Sequence, residues 1–109
     1  MPYHADTNQS EIVAALRGAG CSVELIASAN HRSGVPDLLV GARGRNFLLE
    51  VKRARTGPRG GGGGRLSDDQ RAWIAGWRGS VAVVTSVAEA LTAIGLAPVL
   101  PGQQRTSLP

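Results

Sequence analysis

The 109-residue chain predicts one α/β domain, a mixed β-sheet flanked by helices in the order α-β-β-β-α-β-α. Three observations lead there. Ile12, Val13, Leu16 and Ala19 recur at helical spacing near the start. Three short apolar stretches of strand character follow, two of them joined across Arg43-Gly44-Arg45-Asn46. The order then switches to capped helix, short apolar strand and capped helix, so a crossover can bring that last strand parallel to a neighbour. The length suits one compact domain, and 42% hydrophobic residues with 4% aromatics give a mostly aliphatic core.

The elements follow in turn. Residues 7–19 read as a helix, with Asp6 or Thr7 as its cap and Gly20 as a left-handed stop. Residues 21–27 alternate as a strand, and 28–35 are turn-prone loop. Pro36 can open a strand, which then runs over 37–42; the return strand covers 47–53. Residues 56–65, with their run of five glycines, have almost nothing to pack. Ser67 and Gln70 have capping-box spacing before a helix to about Trp77, with Asp68 and Asp69 in its first turn. Residues 81–85 form a short strand. Ser86 and Glu89 repeat the capping-box spacing before a helix through Ile94, stopped by Gly95. The domain is expected over 1–95, with a basic Gly-rich loop at 54–65 and an irregular tail over 96–109.

Composition narrows the function. A lone Cys21 excludes an internal disulfide and suits a reducing cytosolic setting; it reads as a small core residue. No apolar run reaches the length of a membrane span, and the first residues lack the basic and apolar regions of a signal peptide. Net charge is +4, and eleven of the twelve basic residues are Arg, a type that forks onto phosphate oxygens. Seven of the twelve fall between Arg43 and Arg65.

Three charges stand inside the strands: Asp37, Glu50 and Lys52. Gly44-Arg45 suits a two-residue type II′ hairpin loop, and a four-residue loop over 43–46 gives the same register. Ala42 is then opposite Phe47, Leu39 opposite Glu50, and Asp37 opposite Lys52. Side chains alternate, so all three charges project from one face at one end of the hairpin, with opposed pairs about 5 Å apart. Phe47, Leu49 and Val51 face the other way, onto a helix. Two carboxylates are a typical protein share of a Mg²⁺ site whose other ligands are water and substrate phosphate. The plainer alternative is a structural Asp37–Lys52 pair beside an exposed Glu50.

Pro36-Asp37 followed by Glu50-Val51-Lys52 resembles the PD-(D/E)xK nuclease signature. Arg32-Ser33-Gly34-Val35-Pro36-Asp37-Leu38-Leu39-Val40 resembles the VRR-NUC branch of that superfamily. So do Leu66-Ser67-Asp68-Asp69-Gln70 and the stretch from Val81 to Leu91, so the likeness runs in order over about residues 8–95. The resemblance implies a restriction-endonuclease-like core and a Mg²⁺- or Mn²⁺-dependent endonuclease. Asp37, Glu50 and the Val51 carbonyl would be metal ligands, with Glu11 as a further acidic ligand. Lys52 would position or activate the attacking water, and Gln70 would support the site from its helix. Arg32, Ser33, Arg53, Arg55, Arg59 and Arg65 would contact nucleic acid. Small stand-alone enzymes of this type resemble phage-encoded nucleases, and a cytoplasmic location is expected. A chain this short offers little surface to grip a duplex, so a homodimer is expected, and by analogy two sites related by a two-fold axis would suit branched or Holliday-like DNA. The alternative is a catalytically silent nucleic-acid-binding module, or an inhibitor protein, with the same fold. His31 reads as a solvated loop residue, and Trp73 and Trp77 as core or subunit contacts.

Overall fold

The computed structural model describes residues 4–26, 34–53 and 65–96. The elements are α1 (His4–Gly18), β1 (Ser22–Leu25), β2 (Leu38–Ala42), β3 (Arg45–Val51), α2 (Asp68–Gly76), β4 (Val81–Val84) and α3 (Val87–Ala93). This is the expected order. One four-stranded sheet runs β1-β2-β3-β4; the first three strands pair antiparallel and β4 joins β3 parallel. The crossover through α2 permits that parallel pairing. The Gly-rich run at 54–64 and the tail beyond Leu96 lie outside the described residues, as do His31, Arg32, Ser33, Arg55 and Arg59.

One face of the sheet makes the core. Val23, Leu38, Val40, Leu49, Val51 and Val84 are buried against Ile12, Val13 and Leu16 of α1 and Ala90 and Ile94 at α3. Cys21 is buried with them, and Phe47 packs at the margin. Alternation sends Leu39, Leu48, Glu50 and Val83 to the second face, where Leu39 and Val83 are exposed.

The hairpin departs from its expected register. Its loop is Arg43-Gly44, with φ of 53° and 81°, the type I′ pattern rather than type II′. Ala42 therefore pairs with Arg45 and Leu39 with Leu48, a shift of two residues. A shift of two keeps every side chain on its face, so the convergence of Asp37, Glu50 and Lys52 survives while the opposed pairs change. A left-handed Arg is strained. Arg43 is held there by its guanidinium, whose Nη2 donates to the Ile94 carbonyl at 2.6 Å. The cationic cluster read from the sequence is thereby divided. Arg43 and Arg45 lie at the turn, and Lys52 and Arg53 follow the other end of the seven-residue β3.

Two helix ends also differ. Neither Gly nor Pro interrupts residues 4–17, so α1 begins at His4, and Asp6 and Thr7 fall inside it instead of capping it. At α3, Ser86 Oγ accepts from the Glu89 amide as a cap should, but the Glu89 carboxylate accepts from Thr85 N and Oγ1, at 2.7 and 2.9 Å. The reciprocal half of that box is displaced by one residue.

Candidate active site

The sequence Pro36-Asp37 sets the first acid. Asp37 N–H donates to the Leu49 carbonyl, and its side-chain Oδ2 accepts from Val51 N–H at 2.7 Å. The carboxylate thus finishes the β2–β3 ladder where β2 begins. The expected alternative of an Asp37–Lys52 pair does not form. Lys52 Nζ instead lies 3.5 Å from Glu50 Oε2.

Glu50 is the centre of the arrangement. It is 2% exposed and the one buried charged residue among those described. Its Oε2 also accepts from Gln70 Nε2 at 2.9 Å, while its buried Oε1 has no hydrogen-bond partner. Burial, then the neighbouring Asp37 charge, raise the Glu50 pKa from 4.5 to about 7, against the pull of Lys52. A carboxylate this dry, beside a second carboxylate and with one oxygen unsatisfied, fits a divalent cation. Asp37, Glu50 and the adjoining Val51 are the residues that would hold it.

Gln70 serves two purposes. Its Oε1 accepts from Ser67 N–H at 2.9 Å, and Ser67 Oγ accepts from Gln70 N–H at 3.1 Å, completing the capping box of α2. Its Nε2 is left to reach Glu50. The two bonds fix which way the amide points. Gly34 brings α2 close enough for this. Its φ is +95°, and a Cβ built there would lie 2.4 Å from the Asp69 carbonyl oxygen.

Glu11 is exposed on α1. Among the described residues no three His, Cys, Asp or Glu side chains gather closely enough to hold a metal, so Glu11 does not join Asp37 and Glu50. Arg53 and Arg65 are exposed on either side of the Gly-rich run.

Asn8 was not singled out from the sequence. Its Nδ2 lies 2.9 Å from the Lys52 carbonyl and 3.3 Å from that of Thr85, so α1 ties the ends of β3 and β4 together beneath the site. The signal was present: Asn8, Ile12 and Leu16 fall four residues apart, and a polar residue on that apolar stripe needs buried partners. Asn8→Ala leaves both carbonyls short of a donor. It is expected to cost about 1–2 kcal/mol in urea denaturation, and Asn8→Asp, which has no donor, should do no better.

A small α/β domain with two acids, a lysine and a helix-borne glutamine at one end of its sheet defines a nuclease-like core. The chain is similar to a solved VRR_NUC domain, with a TM-score of 0.61 and 26% identity over 83% of this chain and 92% of that one. No family model and no curated protein matches it. The likeness read from Pro36-Asp37, Glu50-Val51-Lys52 and the flanking segments therefore extends to the three-dimensional fold. No helix among the described residues is long and apolar enough to cross a membrane.

Proposed function

We propose that the protein is a Mg²⁺- or Mn²⁺-dependent endodeoxyribonuclease that hydrolyses phosphodiester bonds, prefers branched or Holliday-like DNA and works as a homodimer. The observation that carries this reading is Glu50: buried, raised in pKa, flanked by Asp37 and Lys52, with Oε1 unpartnered. A divalent ion bound by Asp37, Glu50 and the Val51 carbonyl would supply Lewis-acid polarisation of the phosphate and acidify water. Gln70 and Lys52 hold Glu50 Oε2, which leaves Oε1 as the oxygen free for a cation. Asp37 keeps one oxygen on Val51 N–H and offers the other. The Lys52 ammonium orients the attacking water and offsets negative charge developing on the phosphoryl oxygens. Arg53 and Arg65, with Arg32, Ser33, Arg55 and Arg59, hold the phosphate backbone. A two-fold pair of sites suits the symmetry of a four-way junction.

The test is cleavage of labelled four-way junction, flap, linear duplex and single-stranded DNA with Mg²⁺, Mn²⁺ or EDTA. Cutting is expected only with metal, and on branched DNA before linear duplex. Lys52→Ala should lower the rate by roughly 10²-fold or more while DNA binding persists. Tight binding with no cutting of any substrate in either metal would make the chain a binding module instead.

A further inference from the structure

Helix α2 has no buried residue, yet it and the cap that follows it carry both tryptophans of the chain. The Trp73 and Trp77 rings do not join the core. They stack on each other with centroids 4.7 Å apart and planes at 19°, Trp73 is half-buried, and Trp77 is 46% exposed. Gly79 lies against the pyrrole side of Trp77, where a Cβ would come within 2.9 Å of Nε1. The ring pair is therefore braced from within the chain and open outward.

Its position gives it a use. Gln70, Trp73, Ile74 and Trp77 fall at i, i+3, i+4 and i+7, one stripe of the helix. Gln70, at the head of that stripe, touches Glu50. At about 1.5 Å per residue, Trp73 and Trp77 lie roughly 5 and 10 Å along the axis from Gln70. Nucleotides of one stacked strand are spaced about 3.4 Å apart, so these distances from Gln70 correspond to roughly one to three nucleotides. Exposed arginines bracket the helix, Arg65 before it and Arg78 after it, while Arg71 is paired with Asp68 at 2.9 Å. The exposed Arg65 and Arg78 give a polyanion two cationic contacts beside the ring pair.

The geometry points to the Trp73–Trp77 face of α2 as a stacking site for unpaired bases of the strand being cut. Bases stacked within a duplex present no free π-face, so the site favours single-stranded or splayed nucleotides beside the scissile bond. This rests on the nuclease reading and specifies its substrate.

The two tryptophans make intrinsic fluorescence a reporter of α2 alone. In EDTA, where no strand is cut, a short oligothymidine should quench that fluorescence, and a blunt duplex of the same length should not. Trp77→Leu should weaken oligothymidine binding roughly ten- to hundredfold by anisotropy of labelled DNA, with duplex binding unchanged. Trp77→Phe should retain most of the affinity. Binding without quenching overturns the proposal, as does equal weakening for both DNA forms. So does a Trp77→Leu protein that changes from dimer to monomer with unaltered DNA affinity, which would make this face a self-interface. Quenching without metal-dependent cleavage would remove the nuclease reading and keep the stacking site; cleavage without quenching would do the reverse.

Discussion

Glu50→Gln is expected to abolish cleavage and to yield a protein more stable than the wild type above neutral pH. The two effects share one cause. The unfolded Glu titrates near 4.5 and the folded one near 7, because burial and Asp37 oppose its charge. Between those values folding takes up a proton. The stability this group contributes is fully present below about pH 4.5 and is lost as pH rises through about 7. The difference amounts to about 3 kcal/mol for metal-free protein. Gln70 Nε2 can still donate to the carbonyl oxygen of the substituted amide, which carries no charge to desolvate. Metal-free wild type should thus lose urea resistance between about pH 5 and 8, whereas Glu50→Gln should hold a nearly constant midpoint. Cleavage should fall by more than the roughly 10–100-fold typical of losing an outer-shell partner, since Glu50 is a proposed ligand. A variant that unfolds more readily than wild type at about pH 8 would mean that Lys52 and Gln70 stabilise the charged form by more than burial costs it.

Gly34→Ala is expected to disable the same site from a distance. Two constraints meet at this glycine. Its φ of +95° disfavours any side chain, and an added Cβ would lie 2.4 Å from the Asp69 carbonyl oxygen and 2.7 Å from its carbon. Those are backbone atoms, so a rotamer change cannot relieve the clash. Left-handed strain of about 1–2 kcal/mol adds to an overpacking cost of about 1–3 kcal/mol unless the helix moves. Retreat of the first turn of α2 relieves the clash and carries Gln70 off Glu50. The expected outcome is a cleavage rate lowered roughly 10–100-fold, with far-UV circular dichroism still showing the sheet. Full activity in Gly34→Ala would show that the loop, rather than α2, yields.

Much of this was legible in the residues. The seven elements and their order follow from the spacing of Ile12 and Leu16, the glycine stops and the two serine caps. The convergence of Asp37, Glu50 and Lys52 follows from strand alternation and withstands the two-residue register change, because a period of two is blind to it. The register itself was not legible. Type I′ and II′ loops differ by which residue enters the left-handed region, and Arg43 does so with the help of an Ile94 carbonyl 51 residues away. Long-range polar ties were hidden for the same reason. Asn8 reaches Lys52 across 44 positions, and only folding shows which carbonyls lack donors. Gln70 was readable as a cap and, by resemblance, as a site residue; the structure adds that one amide both caps α2 and donates to Glu50.

Those two hydrogen bonds of Gln70 also mark a weakly fastened part of the described fold. Helix α2 is fastened by the Gln70–Glu50 hydrogen bond, its exposed capping bonds and a close backbone approach, with no fully buried side chain of its own. The free energy of detaching it is accordingly far below that of opening the sheet. The site is therefore expected to come apart by local detachment of α2 while α1, α3 and the four strands stay assembled, which amide hydrogen exchange would show as early exchange confined to α2. On the proposed nuclease reading, activity should therefore be lost with the local opening of a nine-residue helix, before the core melts.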